Sequence, residues 1–157
     1  MSDADPRDPH VSQSDAFTLA LERDPGLRAT IVAVTVLDRS PDWERLVERF
    51  DRATRTFPTF RDRLVRTPLG LAPPAWIPDE DFDLSWHLRR LRLAEGAGTA
   101  ELLDFARTAA MDAFDHDRPL WEFTLIEGLE DGRAALVLKV HHALTDGIGG
   151  VQIAAHV

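Results

Sequence analysis

The feature that most constrains this chain is a pair of apolar runs, residues 121–129 and 133–141, separated by little more than Glu130-Asp131-Gly132. Both runs are rich in β-branched, aromatic and aliphatic residues, and an Asp-Gly pair supplies the positive backbone dihedrals that a tight reversal needs. The pattern predicts two antiparallel neighbouring strands. The second run continues without a break into His141-His142-Ala143-Leu144-Thr145-Asp146-Gly147-Ile148-Gly149-Gly150, so the densest chemistry of the sequence sits at the end of a strand.

The other elements follow from local signals. Ser14 reads as the N-cap of a helix over 15–23, with Phe17, Leu19, Ala20 and Leu21 between a leading acid and a trailing base, and Asp24-Pro25-Gly26 ends it. Residues 29–37 carry Ile, Val and Thr on both faces of the alternation, which predicts a central strand. Ser40-Pro41-Asp42 sets an N-cap, a proline at the first helical position and an early carboxylate. Trp43, Leu46, Val47, Phe50 and Phe57 then recur at helical spacing until Pro58. Prolines at 68, 73, 74 and 78 cut the next stretch into short pieces, with strand candidates at 61–66, 75–78 and 84–93. Residues 99–114 read as a helix behind a threonine cap, with Leu102, Leu103, Ala106, Ala110 and Ala113 as its apolar stripe. Helices interleaved with strands, one pair of strands a hairpin, give an α/β (α+β layered) domain with a mixed sheet and flanking helices.

Composition narrows the function classes. A length of 157 residues suits one domain, and 44% hydrophobic with 29% charged residues excludes a disordered chain. Eighteen Lys plus Arg against 27 Asp plus Glu leave a formal charge of -9, which argues against nucleic acid as a partner. The absence of Cys excludes a disulfide, a thiolate nucleophile and Cys-held zinc. Residues 1–13 are expected to be a flexible segment; its Asp and Pro content is the opposite of a secretory signal. The longest apolar runs fall far short of the roughly 20 residues of a spanning helix, so the expectation is a cytoplasmic protein whose membrane contact is peripheral.

Successive strand side chains point to opposite faces, so His141 and His142 are expected to diverge rather than to share a metal. One packs against the scaffold. The other, assigned to His142, projects into a cleft where an imidazole can take a proton. Asp146 either braces the following loop or bonds an imidazole, and Gly147 with Gly149 and Gly150 lets that loop turn tightly. Any single His is better explained as a core or surface residue, but chance supplies only about 0.001 matches to His-His-x-x-x-Asp-Gly in a chain of this composition. A metal site lacks Cys, an adjacent Glu and a second His at helical spacing. Gly147-Ile148-Gly149-Gly150 has neither the dinucleotide spacing nor a Walker lysine.

The segment His141-His142-x-x-x-Asp146-Gly147 resembles the signature of the CoA-dependent acyltransferase superfamily. Upstream, Arg118-Pro119-Leu120-Trp121-Glu122 resembles the Pro-Leu-Trp segment of the bacterial wax ester synthase/diacylglycerol acyltransferase family. Pro58-x-Phe60-Arg61-x-Arg63-Leu64, Pro74-x-Trp76-x-x-Asp79, Phe82-Asp83-Leu84-x-x-His87 and Ile126-Glu127-Gly128-Leu129 are similar to the N-terminal region of that family, in its order. The resemblance runs from about Ser14 to the last residue.

The resemblance implies a chloramphenicol-acetyltransferase-like half, the first of two similar halves, with 14–157 as an N-terminal acyltransferase domain truncated after the motif. It implies transfer of a fatty acyl group from acyl-CoA to a long-chain alcohol or a diacylglycerol, with acyl-CoA as co-substrate and no cofactor. His142 falls on the general base; His141, Asp146 and Gly147 complete the catalytic set, with Asp146 holding the loop. Pro119, Leu120 and Trp121 become candidates for substrate binding, against the simpler reading of a core tryptophan at the start of a strand. The cluster His87, Arg89, Arg90 and Arg92 becomes a candidate for CoA phosphates or anionic headgroups, against the simpler reading of a solvated face, whereas Arg61 and Arg63 read as solvated or structural. Peripheral contact with the inner membrane face or lipid droplets is a further expectation. The alternatives are a non-catalytic lipid- or partner-binding remnant and a condensation-type acyltransferase with an amine acceptor.

Overall fold

The structure is a computed structural model that describes residues 11, 13–22, 24–66 and 74–145. In chain order its elements are α1 (Gln13–Leu21), β1 (Thr30–Leu37), α2 (Trp43–Thr56), β2 (Asp62–Val65), β3 (Ala75–Pro78), α3 (Leu84–His87), β4 (Leu88–Ala97), α4 (Thr99–Met111), β5 (Trp121–Leu129), β6 (Ala134–His141) and α5 (His142–Thr145). The hairpin is present: β5 and β6 pair antiparallel, and Asp131 and Gly132 make the reversal with φ of 60° and 71°. The main sheet has the order β1-β6-β5-β4, with β4 parallel to β5 and the other pairs antiparallel. A parallel pair needs a crossover, and α4 supplies it between β4 and β5. β2 and β3 form a separate two-stranded sheet.

Alternation along β5 and β6 divides the core. On one face Trp121, Phe123, Leu125 and Val140 meet Leu46 and Phe50 of α2. On the other, Ile126, Ala135 and Val137 meet Leu102 and Ala106 of α4. A third cluster joins Val11, Leu19, Leu64, Phe114 and Leu120, and ties α1 to the small sheet. The aromatic residues carry much of the first layer: Phe50 stands edge-on to Phe123 at 4.6 Å, and Phe60 edge-on to Trp121 at 5.8 Å.

Local details differ from the sequence expectations. β1 is an edge strand of the described sheet and not a central one: Val32 and Val34 pack toward α4, while Ile31 and Val36 are 38% and 52% exposed. β6 and β5 take the central places because each pairs on both sides. Helix α1 begins at Gln13, which puts Ser14 inside it. Within the segment expected to be flexible, Val11 is buried and its N–H donates to the Pro74 carbonyl at 2.9 Å. The cap of α2 is Asp42, whose carboxylate accepts the Arg45 N–H at 2.9 Å, while the Ser40 hydroxyl donates to Glu127. Residues 84–87 form a turn of helix rather than strand, because the Asp83 carboxylate accepts the Ser85 N–H at 2.9 Å. Thr99 lies within α4; the first turn is secured instead by Glu101, whose carboxylate accepts the Gly98 N–H at 2.8 Å. Leu103 is 55% exposed, so the buried stripe of α4 is Leu102 with Ala106.

Candidate functional site

Segments far apart in sequence converge on Trp121. Its indole N–H donates to the Phe60 carbonyl at 2.8 Å, and its ring stacks on His87 with centroids 4.6 Å apart. Phe82 also stacks on His87 at 5.2 Å and lies 6.5 Å from Trp121, and the Arg61 guanidinium lies over the Phe82 ring at 4.6 Å. The Nδ1 of His87 is 2.8 Å from the Trp121 carbonyl; burial holds the ring below the ordinary histidine pKa, and Nε2 finds no partner among the described residues. This stack braces the start of β5, where Trp121 pairs with Val140, next to the paired histidines. Beside it, the His141 N–H donates to the Leu120 carbonyl at 3.0 Å, which sets the Pro-Leu-Trp segment against the end of β6.

The two histidines occupy opposite environments. His141, the last residue of β6, is 0% exposed: its Nε2 lies 2.6 Å from Glu22 Oε1, its Nδ1 accepts the Ala143 N–H at 3.0 Å, and Phe114 stands edge-on at 6.1 Å. His142, the first residue of α5, is exposed, and its N–H donates to the Ala29 carbonyl at 2.8 Å. An imidazole buried on both nitrogens has no open site for a substrate proton, whereas one at the surface can meet a bound hydroxyl. Asp146 and Gly147 lie outside the described residues.

Pro119, Leu120 and Trp121 are all buried, and Leu120 and Trp121 belong to the core, so a substrate-contacting role for them rests on the resemblance alone. The basic cluster is partly engaged in internal pairing. Arg90 forks onto Glu127 at 2.7 and 3.0 Å, Arg92 reaches the same carboxylate at 3.9 Å, and Arg89 lies 3.9 Å from Glu122. The Arg90 guanidinium and the Ser40 hydroxyl together hold the Glu127 carboxyl below the usual carboxylate range. His87 is in the core and not on that surface. Among the described residues no three His, Cys, Asp or Glu side chains are grouped as metal ligands.

Sequence reasoning missed Glu22. No spacing rule links it to His141, 119 residues away, and the two meet only because α1, which ends just before Glu22, packs beside α5 at the end of β6. His116 joins the same carboxylate from the far side, with Nε2 3.6 Å from Glu22 Oε2; burial and then the charge of Arg66 hold its pKa low.

The fold is that of condensation-type and chloramphenicol-acetyltransferase-like acyltransferases. The starter condensation domain of rhizomide synthetase superposes with a TM-score of 0.73 at 15% identity, over 94% of this chain and 37% of that one. Within that class the chain belongs to the wax ester synthase/diacylglycerol acyltransferase family, whose catalytic-domain profile matches residues 11–157. A wax ester synthase/diacylglycerol acyltransferase of Marinobacter aquaeolei VT8 superposes with a TM-score of 0.75 at 30% identity, over 92% of this chain and 37% of that one. A provisionally named diacylglycerol O-acyltransferase of Mycobacterium tuberculosis H37Rv is 43% identical over 136 residues, 87% of this chain and 28% of the relative. The chain thus spans about a third of the length of these relatives.

Proposed function

We propose that this chain supplies the base for transfer of a fatty acyl group from acyl-CoA to the hydroxyl of a long-chain alcohol or a diacylglycerol. The observation that carries the reading is the exposed His142 at the end of β6, beside a His141 that is fixed in the core. In the reaction the His142 imidazole removes the hydroxyl proton as the acceptor oxygen attacks the thioester carbonyl. The C–S bond then breaks and the imidazolium returns the proton to the CoA thiolate, giving ester and free CoA thiol. Asp146 is assigned to holding the loop after His142, and Gly147 to letting the backbone turn close to the substrates. Acyl-CoA and the acceptor alcohol are the partners, and the apolar character of the acceptor and of the ester product favours peripheral contact with a lipid surface. No described helix is long and apolar enough to cross a membrane.

The test is product formation from labelled palmitoyl-CoA, with hexadecanol, a diacylglycerol or a long-chain amine as acceptor. The chain is assayed alone and with the remaining length of the Marinobacter relative supplied. Ester with either alcohol and no amide is the expected outcome. Amide as the main product would move the chain to condensation chemistry, and no product from any combination would overturn the reading.

A further inference from the structure

We propose that Glu22 is a positioning residue for His142, acting through the ring of His141. The inference rests on the reading of His142 as the base and adds a residue to that site. A backbone N–H can only donate, so the Ala143 N–H at 3.0 Å requires a lone pair on His141 Nδ1. A neutral imidazole then carries its proton on Nε2, where Glu22 Oε1 waits at 2.6 Å. The carboxylate therefore selects the tautomer that caps the turn beginning at His142. With Glu22 removed, the opposite tautomer would aim a second proton at the Ala143 N–H, and the cap would be lost.

The surroundings make the arrangement selective. The Glu22 side chain is 8% exposed, so water competes little for either partner. The N–H groups of His141 and His142 are already held by the carbonyls of Leu120 and Ala29, which fixes the chain up to His142. The first link beyond it is the bond from Ala143 to the His141 ring. His116 approaches the other Glu22 oxygen at 3.6 Å and does not touch the His141 nitrogens.

The test compares the wild type with Glu22→Ala, Glu22→Gln and His116→Gln. Long-range proton–nitrogen correlation spectra read the His141 tautomer, and hydrogen exchange reads the Ala143 amide. We expect Glu22→Ala to mix the tautomers and speed Ala143 exchange by about tenfold or more, and Glu22→Gln, whose amide oxygen still accepts, to keep both near the wild type. His116→Gln should leave the tautomer in place. In the acyl-transfer assay Glu22→Ala should lower kcat by about 10- to 100-fold with KM changed less than about twofold, and Glu22→Gln should recover most of the loss. An unchanged tautomer and unchanged Ala143 exchange in Glu22→Ala would overturn the proposal. So would a wild-type kcat in Glu22→Ala alongside an inactive His142→Ala. A fully active His142→Ala overturns the base assignment itself; that failure is distinguishable because the tautomer shift in Glu22→Ala does not depend on turnover.

Discussion

His87 and His141 are both sealed in the core, yet they are held in opposite ways. His141 has both ring nitrogens engaged, whereas His87 has one, and the partnerless Nε2 makes any added proton costly. A histidine whose folded pKa is depressed contributes stability fully above its unfolded value, near 6.5, and that contribution is lost as pH falls below it. We expect the urea midpoint of the wild type to drop between pH 7.5 and 5.5 and the drop to shrink in His87→Gln, with His116 accounting for part of the remainder. Equal pH slopes in the two proteins would contradict this. His141→Ala removes a buried cap and strands Glu22, and should cost about 1–3 kcal/mol or more in urea unfolding. His142→Ala, at the surface, should stay within about 0.5 kcal/mol of the wild type. The divergence of the paired histidines was expected from the two-residue alternation of strands, but β6 ends at His141 and His142 opens α5, so the divergence is made at the strand–helix junction. Glu22 was not legible, because a partner 119 residues away is chosen by packing and leaves no local mark.

At the scale of elements, β5 concentrates the constraints. Its first residue, Trp121, donates to the Phe60 carbonyl, and near its end Gly128 has φ of 87° with the Leu93 carbonyl oxygen 2.8 Å from where a Cβ would stand. Trp121→Phe leaves that carbonyl without its donor and should cost about 1–3 kcal/mol. Gly128→Ala combines a strained dihedral with a backbone clash, and should destabilise by about 1–3 kcal/mol. Chemical denaturation checks both; a change under about 0.5 kcal/mol in either would contradict the packing described. The hairpin was readable because Asp131 and Gly132 need positive φ and the flanking runs are apolar. Strand order was not: β1 carries apolar residues on both faces yet lies at the edge, since what pairs beyond a strand is decided by distant chain. Caps were missed by two residues at α2 and one at α4 because several polar side chains lay close enough: the N-caps are Asp42 and Gly98, and at α4 Glu101 bonds back to the cap.

Across the whole molecule, three of the segments that carried the family resemblance meet in one structure. Phe60, Phe82, His87 and Trp121 form a continuous aromatic brace under the end of the sheet, and Leu120 passes it to His141 through a backbone bond. Most of these motif residues are scaffold, which explains why the sequence identified the family while leaving their roles open. The arginine cluster illustrates the converse: Arg89, Arg90 and Arg92 read as an anion patch in sequence, but packing brings two carboxylates, Glu122 and Glu127, beside them and offsets part of their charge. The central claim is that this scaffold presents His142 as the proton-accepting base. Its most direct test is the initial rate of ester formation by His142→Ala beside the wild type, in the assembly that turns over. A loss of on the order of 100- to 10,000-fold, with unfolding stability unchanged, is the expected result. A rate within about twofold of the wild type would contradict it.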